Sequence, residues 1–235
     1  MMTKYLIGNW KCNKGIADAR RWFAAFANQY RPVEGLQVII APSFICLHDL
    51  SEYLKTLNLA NLSLAAQDIS PFPKGSYTGA VAADMVRELV QYVIIGHSER
   101  RRYFHETEQD IAGKMTEVAD AGLIPIVCLD QPYAKSQLLA LNDTDSREMI
   151  LAYGPVEAMT TRIAESPAQA AEGARAIASV HPLRPVVYGG SLEPHNVKDY
   201  VSLPDLAGLF VGQASLDVSS FLAIYQQLAA AMPRK

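Results

Sequence analysis

Cysteine is scarce: Cys12, Cys46 and Cys128 are odd in number, widely spaced and form no CxxC pair. That pattern argues against a disulfide framework and fits reduced, buried thiols in a cytoplasmic protein. An excess of positive charge is also missing. The 21 basic and 24 acidic side chains leave a net −3 with no basic stripe, so nothing points to nucleic acid or an anionic membrane as partner. No window approaches the ~18 uninterrupted apolar residues of a membrane span. The opening MMTKYLIGNWKC has a short apolar run, no cleavage site, and leads straight into a strand-like segment, which argues against a signal peptide. His48, His105, His181 and His195 lack metal-ligand spacing, and neither a metal nor another cofactor is called for. No Gly/Ser linker or low-complexity stretch interrupts the chain, so residues 1–235 are expected to form one domain.

What is present is apolar sequence in short, regular packets. Half of the 235 residues are hydrophobic, enough for a large core without metal or disulfide staples. Runs rich in Val, Ile and Leu recur at roughly 25–35 residues, in the size range of repeated βα units. They are 5–9, 36–41, 62–66, 92–96, 123–129, 149–153, 185–188 and 207–211. Most lack polar alternation, as parallel strands buried on both faces do. Helical patterns lie between them. Residues 18–30 bring Trp22, Phe23, Phe26 and Tyr30 near one face, Ser166-Pro167 reads as a helix start running toward Val180, and residues 219–231 form an apolar closing helix. Eight strands with interleaved helices predict an α/β fold, the closed (β/α)8 barrel.

Chemistry in such barrels sits at the C-terminal ends of the strands. The first strand ends in Asn9-Trp10-Lys11, where a lysine is either a surface charge or a cation aimed at a phosphate or developing oxyanion. The fourth ends in Gly96-His97-Ser98-Glu99-Arg100-Arg101. A helix start there would lower the His97 pKa through its dipole and leave a neutral hydrogen-bond donor; a buried histidine at a strand end is the alternative. The seventh and eighth strands end in Tyr188-Gly189-Gly190-Ser191 and Val211-Gly212-Gln213-Ala214-Ser215. Such loops are turns or, taken as a pair on the last two strands, a backbone cradle for phosphate.

These segments, in this order, resemble the motifs of triosephosphate isomerase, and the resemblance spans the chain. The stretch from Gln67-Asp68 through Lys74-Gly75-Ser76-Tyr77-Thr78-Gly79 resembles that family's long third loop. The resemblance implies a TIM barrel that interconverts dihydroxyacetone phosphate and glyceraldehyde 3-phosphate in glycolysis and gluconeogenesis, in the cytoplasm. It implies that Lys11 and His97 polarise the substrate carbonyl, that Asn9 shapes the pocket and that Glu99 supports Lys11. Ser191, Gly190, Gly212 and Gln213 would hold the phosphate of a small phosphorylated molecule or anion. A homodimer would form through the loop containing Thr78. The pairing of a glutamate base with a neutral histidine is this family's own known pattern and enters by resemblance alone.

The pattern breaks after the sixth strand. Where the family reads Tyr-Glu-Pro-Val-Trp, then the lid Ile-Gly-Thr-Gly, this chain reads Tyr153-Gly154-Pro155-Val156-Glu157-Ala158-Met159-Thr160-Thr161-Arg162, running without a gap to Ser166-Pro167. Gly154 stands at the position of the catalytic base. Thr160 and Arg162 replace the lid glycines, and a β-branched Thr160 resists positive φ. Gln213 adds bulk to the cradle. Cys128-Leu129-Asp130-Gln131 replaces the Cys-Ile-Gly-Glu motif, and the segment leading to strand six is short, which predicts a trimmed fifth helix. These departures predict a pseudoenzyme with little or no isomerase activity that still binds a phosphorylated ligand. The alternatives are an active isomerase with a relocated base, Glu157 or Asp130, and a non-catalytic regulatory or structural dimer in which the retained residues are relics.

Overall fold

The computed structural model describes residues 3–141 and 148–232. Eight parallel strands, β1 (Lys4–Asn9), β2 (Leu36–Ala41), β3 (Leu62–Ala66), β4 (Tyr92–Ile95), β5 (Ile124–Gln131), β6 (Ile150–Pro155), β7 (Val186–Tyr188) and β8 (Gly208–Val211), pair in sequence order and close into a barrel. The closing ladder sets Tyr5 opposite Gly208, whose φ is +155° and whose missing side chain matters: a Cβ there would overlap the Tyr5 backbone. Closure at this seam therefore requires glycine.

Around the barrel lie α1 (Ile16–Gln29), α2 (Phe44–Leu57), α3 (Ala83–Val86), α4 (Ser98–Tyr103), α5 (Glu108–Asp120), α6 (Ala134–Leu139), α7 (Val156–Thr161), α8 (Pro167–Ala178) and α9 (Val218–Ala230). Trp22, Phe23 and Phe26 of α1 pack with Trp10 and with Phe221 of α9; the Trp10 and Trp22 rings stand 5.1 Å apart, edge to face. Ser166 caps α8 and exchanges hydrogen bonds with Gln169, with Pro167 in the first turn, as its sequence predicts. In the described part of the β5–β6 connection the helix is the six-residue α6, in keeping with the trimmed segment. One simplification fails: β7 is followed by a 3-10 turn (Val197–Asp199), not by an α-helix.

The strands carry apolar side chains on both faces, and the two sets form separate clusters. Leu129 and Tyr153 belong to the outer layer between sheet and helices, whereas Cys128 and Ala152 belong to the barrel interior. Strand alternation then turns the next residues, Asp130 on β5 and Gly154 on β6, toward the axis at the C-terminal rim. Among the described residues, no helix is long and apolar enough to cross a membrane.

Candidate active site

The rim of β1 and β4 brings Lys11, His97 and Glu99 together. Lys11 adopts a left-handed backbone (φ 52°), and its N–H donates to the Asn9 side-chain oxygen at 2.9 Å. Gln67 spans the gap to β2, donating to the carbonyls of Lys11 (2.9 Å) and Ala41 (2.8 Å). Left-handed backbone is costly for a lysine; these contacts hold it there and direct Nζ to Glu99 Oε1 at 2.5 Å. Both side chains are roughly 40% exposed (38% and 42%), so the pair contributes about 0–1 kcal/mol to stability. Its value is positional.

His97 caps α4. Its Nδ1 accepts the Glu99 backbone N–H at 3.2 Å. With that nitrogen an acceptor, the ring is neutral and its proton sits on Nε2. Burial drives its pKa down to about 4; Glu99 opposes the shift, and Lys11 and Arg100 add to it. The sequence suggested the helix dipole as cause. Desolvation is the largest cause of the shift, in a residue that is 8% exposed.

Beside His97, the ends of β5, β6 and β8 form a cleft of about 20 Å³ lined by Cys128, Asp130, Gly154 and Phe210, room for about one water. Asp130 and Ser98 also line a larger cavity of about 680 Å³, bordered by Lys11, Glu99, Arg101 and Thr160. Among the described residues, no cluster of His, Cys, Asp and Glu could hold a metal ion.

The sequence model of the family described as triosephosphate isomerase matches residues 4–228. The chain belongs to the triosephosphate isomerase family. A triosephosphate isomerase of Mesomycoplasma hyorhinis is 33% identical over 243 residues, spanning 95% of this chain and 98% of the relative. That of Xanthomonas euvesicatoria pv. vesicatoria (strain 85-10) is 34% identical over 254 residues, spanning 98% of this chain and all of the relative. One of Dehalococcoides mccartyi (strain CBDB1) is 34% identical over 248 residues, spanning 95% of this chain and 96% of the relative.

On this isomerase fold the remaining sequence candidates separate. Gly212 lies beside Lys11, where a Cβ would stand 3.5 Å from Lys11 Cε, while Gln213 is exposed and begins a 3-10 turn. Gly190 is buried and packed so that a Cβ would overlap the Tyr188 hydroxyl. Ser191 has a left-handed backbone (φ 49°) and its hydroxyl donates to the Ala158 carbonyl at 2.8 Å, satisfying a carbonyl at the end of α7. Glu157 is exposed in the first turn of α7 and borders a different cavity, with Gln131, Pro155 and Glu165. It does not join His97. Thr78 is exposed in the β3–α3 loop, where Tyr77 stacks on Phe72 with ring centroids 4.6 Å apart.

The lid segment differs from expectation in one respect. Thr160 is helical, its hydroxyl donating to the Val156 carbonyl at 2.8 Å, and Thr161 does the same to Glu157. The left-handed residue is Arg162 (φ 60°). So β-branching at Thr160 meets no positive φ in this conformation. Two further features escaped the sequence. Glu165 is fastened by three tyrosines: its carboxylate accepts from Tyr153 (2.8 Å), its N–H donates to the Tyr188 hydroxyl (3.1 Å), and its carbonyl accepts from Tyr200. Gln137 accepts the Asp130 N–H at 2.8 Å. No short motif announces either set, because each joins separate elements.

Proposed function

We propose that this barrel mouth binds a small phosphorylated carbonyl compound and polarises its carbonyl, but moves protons slowly compared with ordinary triosephosphate isomerases. The proposal rests above all on His97: its Nδ1 is occupied by the Glu99 N–H, which leaves a neutral Nε2–H as donor for a carbonyl oxygen. Lys11, fixed by Glu99 at 2.5 Å, adds a cation to the same developing oxyanion. Isomerisation also needs a base to take a proton from the carbon next to that carbonyl and return it to the neighbouring carbon. Gly154 occupies the place on β6 where the family carries that base, and glycine cannot accept a proton. Loss of a positioned base costs ~10²–10⁴-fold in rate.

Supporting the ligand class are Gly212 beside Lys11 and the Ser191 hydroxyl against the lid. The exposure of Glu157 away from His97 weighs against rescue from that position. The protein would then serve at the margin of glycolysis and gluconeogenesis, in the cytoplasm, as one barrel domain and as a homodimer.

The deciding experiment compares wild type with Gly154→Glu in a coupled triose phosphate assay, alongside a thermal scan with phosphoglycolate. We expect wild-type turnover at least 100-fold below Gly154→Glu and a saturable rise in melting temperature with the anion. Wild-type turnover equal to that of ordinary family members would overturn the loss of the base. No thermal shift would instead favour the regulatory or structural dimer.

A further inference from the structure

We propose that Asp130 is the carboxylate that takes the proton from a ligand held in this site, one strand away from the position of Gly154. The inference rests on the binding mode proposed above. Two independent features of the barrel place Asp130 there. Alternation along β5 turns it inward with Cys128, which lies in the interior cluster. The β5–β6 ladder then sets Asp130 directly opposite Gly154. The side chain that β6 lacks is thus supplied by its hydrogen-bonded neighbour, and Asp130, Gly154 and His97 line the same cleft.

The surroundings of Asp130 suit a base. Its side chain is nine-tenths buried (10% exposed), and its backbone is held by Gln137 at 2.8 Å. Burial raises its pKa while Arg101 and Gln137 oppose the rise, moving the group toward the working range of a general base. Arg101 does not consume the carboxylate. Its Nε donates to the Gly96 carbonyl at 2.8 Å, its Nη1 pairs with Glu108, and Asp130 Oδ2 stands 3.8 Å from Nε, beyond hydrogen-bond length. Asp130 keeps lone pairs available at the cleft, with a fixed cation nearby. The buried Cys128 thiol is the other candidate acceptor, but burial and the neighbouring Asp130 push its pKa well up, so it stays protonated.

The step balances without a co-reactant. Asp130 takes a proton from the carbon adjacent to the carbonyl, and the C–H electron pair becomes the enediolate π bond. The carbonyl electrons move to oxygen, where His97 Nε2–H and Lys11 stabilise the charge. The protonated Asp130 trades its proton with solvent and gives a solvent proton back to the same carbon, which is exchange; delivery to the adjacent carbon, with the neighbouring hydroxyl proton passing to the former carbonyl oxygen, is isomerisation. Neighbouring strands are ~4.8 Å apart, more than one carbon–carbon bond, so a triose seated for a β6 base presents its carbon poorly to β5. Slow turnover follows.

The test is deuterium incorporation into dihydroxyacetone phosphate in D2O, followed by proton NMR, with the phosphoglycolate thermal shift measured in parallel. Wild type is expected to exchange the proton faster than buffer alone. D130N should lower that excess at least 10-fold while keeping the wild-type thermal shift, and D130N/G154E should recover it, showing that D130N folds with its electrophile intact. Undiminished exchange in D130N overturns the proposal. So does wild-type exchange no faster than buffer; if the thermal shift persists in that case, the ligand-binding site stands without Asp130 as its base. If the thermal shift is absent too, both fail.

Discussion

At the scale of the residue, the consequential property is the neutrality of His97. Its folded pKa, about 4, lies below the ordinary 6.5, so the unfolded chain binds a proton that the folded site refuses. The stability it contributes is complete above about pH 6.5 and is lost as the pH falls through about 4. We expect urea unfolding near pH 7 and about pH 4.5 to show a loss ~2–3 kcal/mol larger in wild type than in His97→Gln. Equal losses in the two proteins would mean that His97 is protonated in the native state. Lys11, His97 and Glu99 were legible from the sequence because each stands a few residues from the end of an apolar run. The cause of the His97 shift was not. Local sequence announces a helix start, whereas the residues that share the cleft with His97, Phe210 on β8 and Cys128 on β5 among them, lie far away along the chain.

At the scale of the element, α7, where the resemblance expects a lid, and the segment after it were the hardest to read. The conformation of this segment depends on hydrogen bonds to other parts of the chain: Ser191 to Ala158, and three tyrosines to Glu165. The strands were far easier, since burial on both faces leaves unbroken runs of Val, Ile and Leu. Arg162 ends α7 with a φ of 60° and is exposed. Left-handed backbone costs a non-glycine residue ~1–2 kcal/mol, partly offset by the greater freedom glycine gives the unfolded chain. Arg162→Gly should therefore raise the melting temperature by roughly 1–3 °C; a fall would mean that the arginine side chain makes a stabilising contact that outweighs the strain. The reverse applies to Gly173 of α8, where a Cβ would come within 2.5 Å of the Tyr153 ring. That ring is buried and bonded to Glu165, so it has nowhere to go. Gly173→Ala should destabilise by ~1–3 kcal/mol in a denaturant titration. An unchanged midpoint would show that α8 can lift away from β6.

At the scale of the whole molecule, order along the chain becomes position around the rim, because β1 to β8 pair in sequence. The connections after β2, β3 and β4 are therefore neighbours, and they carry exposed apolar side chains: Ile45 (69% exposed) in the first turn of α2, Phe72 and Tyr77 in the loop after β3, Met85 on α3, and Tyr103 and Phe104 (67%) at the end of α4. Single exposed apolar residues are ordinary, whereas a run of them on three adjacent connections is what a contact with another chain would cover. The sequence pointed to the Thr78 loop alone; the companion residues on α2 and at the end of α4 become its neighbours only when the barrel closes. The proposed homodimer is expected to use this surface. Light scattering at micromolar concentration should give twice the mass of one chain, and the melting temperature should rise with protein concentration, as association linked to folding requires. Ile45→Lys combined with Phe104→Lys should halve the measured mass by forcing two charges out of water at the interface. Should wild type already run as a monomer, the patch must serve a different partner. If the double substitution leaves the dimer intact, the contact lies elsewhere on the rim.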